Sequence, residues 1–214
     1  ALAGSSQHMM QGLALSPEAP LYGRARELFK LEPLLPGHIV AALAGGDHEQ
    51  AVRAYAIWGG MPRYWELAKE LAELREAVDA LVLDPRGVLH EEPNRILLEE
   101  TPPAIALRPI LDVIGAGAHR LSEIAGRIGQ PATSLSRPLA RLQELDLVLR
   151  ETPFGQADRS TKRALYKLAD PFLALWFSLI APKRSALATL PKPGRLKLFA
   201  AASPRLTAVA WENL

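Results

Sequence analysis

The chain has 214 residues, 49% of them hydrophobic, and a formal net charge of +2 from 25 Lys+Arg and 23 Asp+Glu. This composition is that of a folded protein of one or two domains and excludes a disordered chain. The absence of cysteine excludes disulfides, thiol nucleophiles and cysteine-based zinc sites, and the five histidines are too scattered to suggest a metal site.

Charge is divided unevenly along the chain. Residues 1–116 carry 10 basic and 16 acidic side chains, a net charge of −6, whereas residues 117–214 carry 15 basic and 7 acidic, a net charge of +8. Two modules with different partners are therefore expected, and the basic module is the candidate for binding nucleic acid. No apolar run approaches the ~20 residues of a membrane helix and no secretory signal is evident. We therefore expect a cytoplasmic protein that does not bind membranes.

Apolar residues recur at i, i+3 and i+4 over most of the chain, and this spacing predicts a mainly α-helical fold. The first segment departs from it, because residues 28–32 alternate like a β-strand. One or two short strands cannot form a stable sheet alone. We therefore interpret residues 1–33 as the edge of a sheet, which either pairs inside this chain or has lost its partners.

Residues 34–103 predict a domain of short helices. A turn interrupts these helices at residues 59–62, where the sequence reads Gly-Gly-Met-Pro. Paired acids follow at residues 91–92 and 99–100. Because no basic cluster accompanies them, a solvated helix face is favoured over a catalytic carboxylate site.

Residues 104–170 hold the most readable pattern of the sequence. Two short helices are predicted, and the second ends at Gly129, a residue that suits the left-handed position after a helix. A third helix follows, with Thr133 or Ser134 as its expected N-cap. Since proline cannot donate a backbone hydrogen bond, Pro138 requires this helix either to begin just before it or to kink.

The period of the pattern then changes from helical to two. Alternation at residues 147–152 and 163–168, with a polar and basic stretch between them, predicts a β-hairpin with a long basic tip. Three helices followed by such a hairpin form a winged helix-turn-helix. The predicted fold is therefore mainly α, with a helical domain at residues 34–103 and a winged helix-turn-helix with a hairpin wing at residues 104–170.

A winged helix can bind DNA by placing its third helix in the major groove and its hairpin against phosphates. Arginine suits both tasks because its guanidinium grips phosphate or the guanine edge with two hydrogen bonds. Residues 117–167 carry 9 basic and 5 acidic side chains, so we expect weak binding to duplex DNA with little sequence preference. The alternative is a module for protein contacts whose arginines are only solvated. The predicted DNA-binding residues are Ser134, Arg137, Arg141, Arg159, Lys162 and Arg163.

Residues 171–214 predict a C-terminal helical extension. Asp170 is the expected N-cap of its first helix, and Pro171 suits the first turn. The helix at residues 172–180 is apolar nearly all round, so we expect it to be buried. Pro182 is expected to end it.

Three runs of residues resemble one protein family, in the order in which that family carries them. They are Pro-Leu-Tyr-Gly-Arg at residues 20–24, Tyr-x-x-x-Gly-Gly-Met-Pro-x-Tyr at 55–64 and Tyr-x-x-x-Asp-Pro-Phe-Leu-x-x-Trp-Phe at 166–177. With these runs the chain resembles the C-terminal part of the archaeal-type ATPases, which are P-loop ATPases of the AAA+/STAND class. The resemblance implies that residues 1–33 are the edge of the ATPase core and that residues 34–103 form its helical lid.

The resemblance also implies roles for residues near the nucleotide. Ser5 or Ser6 would be the polar sensor near the γ-phosphate, and Arg24 would be an arginine finger that stabilises the transferring phosphoryl group of a neighbouring subunit. The alternative for Arg24 is a surface arginine or an ion pair with Glu27.

The turn at residues 59–62 resembles the family's lid motif, which packs against bound nucleotide. Gly59 and Gly60 would let the backbone approach the nucleotide closely, and Pro62 belongs to the same motif. Arg63 would act as a second sensor. The alternative is a plain turn that interrupts two helices.

The sequence also departs from the family, because it contains no Gly-x-x-x-x-Gly-Lys-Ser/Thr and no strand ending in paired acids before Ser5. ATP and magnesium are therefore expected only in a full-length parent, and this chain should bind no metal and should not hydrolyse ATP alone. We predict a C-terminal fragment of an AAA+/STAND-type ATP-binding protein, with a protein partner or self-association through the ATPase part. The alternative is a free-standing winged-helix regulator or protein-interaction module. A phosphate-loop motif in the upstream reading frame would decide between them.

Overall fold

The computed structural model describes residues 7–42, 47–100, 106–153 and 163–212, and over these residues the chain is mainly helical with a single pair of strands. The prediction of a mainly α fold is confirmed. The helices before residue 101 are α1 (Gln7–Met10), α2 (Pro36–Ala42), α3 (His48–Trp58), α4 (Pro62–Ala68), α5 (Leu74–Val78) and α6 (Glu92–Glu100). Those after residue 105 are α7 (Arg108–Gly115), α8 (Leu121–Ile128), α9 (Ser136–Glu144), α10 (Pro171–Leu175), α11 (Ala181–Thr189) and α12 (Lys192–Glu212).

Wider and tighter helical turns lengthen several of these helices. π-Helical turns follow α1 at Gln11–Leu15 and α5 at Asp79–Leu83, and a third, Trp176–Ile180, joins α10 to α11. A 3₁₀ turn, Ala132–Leu135, leads into α9. The chain from residue 171 to residue 189 is therefore helical apart from a kink at Lys183.

The N-terminal segment forms no strand within the described residues. Residues 27–35 have no regular secondary structure, and the alternation at 28–32 pairs with no neighbouring strand. Leu28, Phe29 and Leu31 are 63%, 81% and 92% exposed. A lone segment has no partner for ladder hydrogen bonds, so the apolar pattern alone does not make it a strand.

The helices of the predicted winged helix form largely where the sequence places them. Gly129 follows α8 with φ 73° and ψ 29°, which confirms the predicted left-handed stop. The expected N-cap at Thr133 or Ser134 is wrong, because the residue that precedes α9 is Leu135. The 3₁₀ turn already occupies residues 132–135, and the Ser134 hydroxyl donates to the Pro131 carbonyl at 2.7 Å, so it closes that turn.

Two strands, β1 (Val148–Glu151) and β2 (Leu165–Leu168), pair antiparallel with Val148 opposite Leu168 and Glu151 opposite Leu165. The predicted alternation is confirmed on their inner face, where Val148, Tyr166 and Leu168 are buried. The predicted basic tip between the strands, residues 154–162, lies outside the described residues.

One apolar core extends from α3 through the strand pair to α12. Phe172, Trp176 and Phe177 are buried in it, as the pattern at residues 172–180 predicts, and the rings of Trp176 and Phe177 meet edge to face at 4.9 Å. Helix α3 packs against both α10 and α12. The helical domain and the C-terminal extension therefore share a core.

The buried helix breaks where Pro182 is expected to end it, because Lys183, the next residue, has non-helical φ −115° and ψ 16° and the chain kinks there. One further prediction is wrong. Glu92 is not on a solvated face: its side chain is 7% exposed, and it accepts hydrogen bonds from Arg95 at 2.7 Å and from the Tyr64 hydroxyl at 3.3 Å. A buried carboxylate needs such partners.

Candidate nucleic-acid interface

Helix α9 has one buried face and one exposed face. Leu139 and Leu142 project into the core together with Leu135 from the preceding turn. Ser136, Arg137, Ala140 and Glu144 are exposed, and their spacing places them along the opposite side. The exposed face is therefore narrow and runs the full length of α9.

Of the residues predicted on this face, Arg137 is the most available to a ligand. It is exposed, and no described residue forms an ion pair with it. Arg141 is different, because its side chain is 28% exposed and its Nη1 donates to Oε2 of Glu144 at 3.0 Å. Ser134 is exposed, with its hydroxyl engaged in the 3₁₀ turn. The helix thus presents one free and one neutralised guanidinium.

The first turn of α8 is held by an acidic residue. Oε2 of Glu123 accepts the backbone N–H groups of His119 and Arg120, each at 3.2 Å. These hydrogen bonds lower the pKa of Glu123 below its usual value, because they favour the carboxylate. These hydrogen bonds hold the start of α8, and α8 leads through Gly129 and the 3₁₀ turn to α9.

The strand pair contributes a second basic position. Arg163, which immediately precedes the buried Ala164 and then β2, is exposed. Arg159 and Lys162 lie outside the described residues. On the strands themselves, Lys167 pairs with Glu151 across the ladder at 2.9 Å, so the described strand surface carries paired charges.

The Gly59–Gly60 turn is far from the strand pair in sequence but adjoins it in space. Gly60 N–H donates to Oδ2 of Asp170 at 2.9 Å, across 110 residues. The other carboxylate oxygen of Asp170 accepts the Phe172 N–H at 2.7 Å and thereby caps α10, as predicted. The second and third runs of the family resemblance therefore meet at one carboxylate.

Burial raises the pKa of Asp170 above its usual value, while the hydrogen bonds from Gly60, Phe172 and Leu173 oppose that rise. Burial is also the main cause that raises the pKa of Tyr55 above its usual value, and the Asp170 carboxylate raises it further. Tyr64 contacts the Phe172 ring at 4.6 Å between centroids, and burial raises its pKa strongly. Asp170 therefore carries a charge in poorly solvated surroundings.

The other predicted nucleotide residues lie at the surface. Pro62 begins α4, and Arg63 beside it is exposed with no ion pair to any described residue. Arg24 is also exposed, and no described ion pair joins it to Glu27. Ser5 and Ser6 lie outside the described residues. Arg24 and Arg63 are thus open to a partner.

The sequence did not reveal two features of this region. Ser136 and Ala140 belong to the exposed face of α9, and helical spacing would have included them once the helix start was set at residue 136. Lys30 forms an ion pair with Asp146, between α9 and β1, which raises the pKa of Lys30 mainly through that hydrogen bond. No sequence signal indicates this long-range pair.

Comparison with known proteins gives one distant relative. No family model matches the chain, and no solved structure matches it. The uncharacterized protein MJECL04 of Methanocaldococcus jannaschii is 30% identical over 184 residues, which cover 86% of this chain and 41% of that protein. The chain thus spans about two fifths of the curated relative it matches.

Two further findings concern the described residues alone. None of their helices combines the length and apolarity that crossing a bilayer requires. Within the same ranges, no group of three or more histidine, aspartate or glutamate side chains is arranged to hold a metal ion.

Proposed function

We propose that residues 108–168 form a winged helix-turn-helix that binds duplex DNA through α9 and the hairpin. The observation that carries this proposal is the exposed face of α9, where Arg137 is free of ion pairs and stands between the small residues Ser136 and Ala140. Small neighbours let a helix approach the floor of the major groove closely. The pairing of β1 with β2 after α9 supports a wing.

Phosphate neutralisation is the main driving force of the proposed contact. Arg137 of α9 and Arg163 beside β2 are exposed cations, and Arg159 and Lys162 of the hairpin tip add to them in the sequence. Glu144 lies on the same face as Arg137 and opposes phosphate. Binding should therefore be weak and strongly dependent on salt.

We further propose that this unit belongs to a longer ATP-binding polypeptide of the AAA+/STAND class. The resemblance of the three sequence runs supports the class, and the relative, of which the chain covers 41%, supports only the greater length. Residues 28–31 also support the proposal, since Leu28, Phe29 and Leu31 are exposed in a segment whose alternation fits the edge of a sheet. Arg24 and Arg63 would then face nucleotide in the complete protein.

Fluorescence anisotropy with a labelled duplex of about 20 base pairs, in about 50 mM salt, tests the DNA proposal. Arg137→Ala with Arg141→Ala should weaken binding by up to about thirtyfold, since each lost arginine contact contributes on the order of 1 kcal/mol. The matched control is Lys69→Ala with Arg75→Ala, which removes two exposed cations of the helical domain. Equal weakening by both double variants would contradict a specific DNA face.

Glu144→Ala tests the proposal in the opposite direction, because it should strengthen DNA binding whereas the arginine substitutions should weaken it. It removes a carboxylate from the exposed face of α9 and releases Arg141 from its ion pair. DNA binding should become tighter by severalfold, whereas a module used only for protein contacts would show no change. A loss of DNA affinity in this variant would contradict the proposed orientation of α9.

A protein-interaction module is the second candidate, and a specific observation favours it. Exposed large apolar side chains concentrate before residue 36, including Phe29 and Leu31 at 81% and 92% exposure. Such a patch is typical of a protein contact rather than of DNA binding. Wild-type protein that binds no duplex in about 50 mM salt would favour this second function.

A further inference from the structure

We propose that Asp170 is a coupling residue that makes the Gly59–Gly60 turn and the base of the β1–β2 strand pair move as one unit. Only the consequence of this coupling for DNA binding rests on the proposed function, because the coupling itself is measured without DNA. It assigns a joint mechanical role to the second and third of the three runs on which the family resemblance rests, residues 55–64 and 166–177.

The backbone of the Gly59–Gly60 turn is fully hydrogen-bonded within the chain. Gly59 N–H donates to the Tyr55 carbonyl at 2.8 Å, and the Gly59 carbonyl accepts from the Trp65 indole at 2.9 Å. Gly60 N–H donates to Asp170 at 2.9 Å, and the Gly60 carbonyl accepts the Leu34 N–H at 2.8 Å. Displacing this turn therefore costs hydrogen bonds to both Asp170 and Leu34.

Close packing reinforces these hydrogen bonds. Gly59 has φ 59° and ψ −151°, a conformation open only to glycine, and a Cβ there would overlap the Asp170 carboxylate. A Cβ at Gly60 would lie 2.6 Å from Cβ of Pro33. The two glycines are thus required so that Asp170 and residues 33–34 can contact the turn backbone.

Asp170 is attached directly to the strand pair. It follows Leu168, the last residue of β2, by two positions, and the intervening Ala169 N–H donates to the Leu147 carbonyl at 3.1 Å just before β1. Its second oxygen caps α10 through Phe172. A movement of the carboxylate must therefore strain the ends of both strands.

A second connection returns to the start of β1. The Leu34 N–H is hydrogen-bonded to the Gly60 carbonyl, and Lys30, four residues before Leu34, forms an ion pair with Asp146. Asp146 lies two residues before Val148, the first residue of β1. The contacts form a closed path from the strand ends through Asp170 and the turn to residues 30–34 and back. In a closed path, loosening one contact relaxes the others.

In the proposed full-length protein, this unit would carry a change at the lid turn to the wing. A ligand that draws Gly60 N–H away from Asp170 releases the base of the strand pair, and DNA that fixes the wing favours the closed turn. The two effects are reciprocal because they share one coupling free energy.

Amide hydrogen exchange on the full chain tests the coupling, and Asp170→Asn isolates one of its hydrogen bonds. Asparagine has a single side-chain carbonyl, which can keep the α10 cap to Phe172 while its NH₂ group faces Gly60 N–H. Exchange at Gly60 and at the strand amides 148–151 and 165–168 should rise by about fivefold or more, with Phe172 nearly unchanged. Unchanged strand exchange would overturn the proposal.

Gly59→Ala disturbs the contact between the turn and Asp170 from the side of the turn, because the added Cβ would overlap the Asp170 carboxylate. It should raise exchange of the strand amides although residue 59 is not part of the strand pair. The matched control is Gly23→Ala, since Gly23 also has positive φ (70°) but open space where a Cβ would stand. A rise confined to residues near 59 and 170, with strand exchange equal to that of Gly23→Ala, would overturn the proposal.

The outcomes distinguish this inference from the proposed function. Coupled exchange together with absent DNA binding in the wild type would leave the coupling intact and contradict DNA binding. Strand exchange that is unchanged in the variants, together with salt-dependent DNA binding by the wild type, would contradict the coupling and support DNA binding. If Gly59→Ala fails to fold, as judged by circular dichroism, Asp170→Asn carries the test.

Discussion

At the scale of single residues, Asp170 combines two tasks that usually fall to different groups. As an N-cap, it satisfies the Phe172 N–H at the start of α10, and as a partly buried acceptor it satisfies Gly60 N–H. Each task alone is common for aspartate. Their combination places an ionised group where water is scarce, so hydrogen bonds must offset its lost hydration.

The stability of the fold should reflect this burial in its pH dependence. The folded-state pKa of Asp170 lies above its unfolded value of about 3.9, so the folded chain binds the proton more tightly. The favourable contribution of the protonated form is present below that value and is lost as pH rises through the raised pKa. The stability of the wild type relative to Asp170→Asn should therefore fall as the pH rises above about 4, whereas an advantage of the wild type that grows with pH would contradict this. Urea denaturation at several pH values measures both proteins.

At the scale of elements, a buried ion cluster joins the start of α12 to the π-helical turn Asp79–Leu83. Arg195 donates to both carboxylate oxygens of Asp79 at 2.8 Å and to Asp84 at 3.0 Å. The side chains of Arg195, Asp79 and Asp84 are 11%, 6% and 13% exposed. Arg195, one of the basic residues of the C-terminal segment, therefore has a structural role.

Arg195→Ala should destabilise the chain by about 3–5 kcal/mol, because it leaves the Asp79 carboxylate buried without its partner, whereas Asp84 keeps its ion pair with Arg86. Thermal or urea unfolding measures the loss. The control is Arg75→Ala, an exposed arginine that should change stability by less than about 0.5 kcal/mol. Similar small effects of both substitutions would show that the cluster does not hold α12.

The sequence predicts those elements whose signals are local. The stop at Gly129, the cap at Asp170 and the alternation of β1 and β2 each depend on neighbours in the chain, and all are found. The break of the buried helix at Lys183, directly after Pro182, also follows from a local signal, because proline interrupts a helix.

The candidate site was predictable only where it lies on one helix. The basic face of α9 follows from helical spacing, whereas the contact of Gly60 with Asp170 spans 110 residues and has no periodic signal. Burial of Glu92 likewise depends on Tyr64 and Arg95, partners that the paired-acid pattern does not reveal. Tertiary contacts decide such positions.

At the scale of the whole molecule, charge and apolar exposure are separated. The exposed apolar side chains gather before residue 36, and the exposed face of α9 with Arg137 lies in the half with a net charge of +8. We interpret the first surface as a protein contact and the second as a DNA contact. One chain can then join a protein assembly to a nucleic acid.

The salt dependence of duplex binding tests this central claim most directly. With four phosphate contacts, the slope of log K against log salt should be about −3.6. Replacing Arg137, Arg141, Arg159 and Lys162 together with alanine should flatten that slope toward zero. A wild-type protein that binds no duplex in about 50 mM salt, or a fourfold variant with the wild-type slope, would contradict the account.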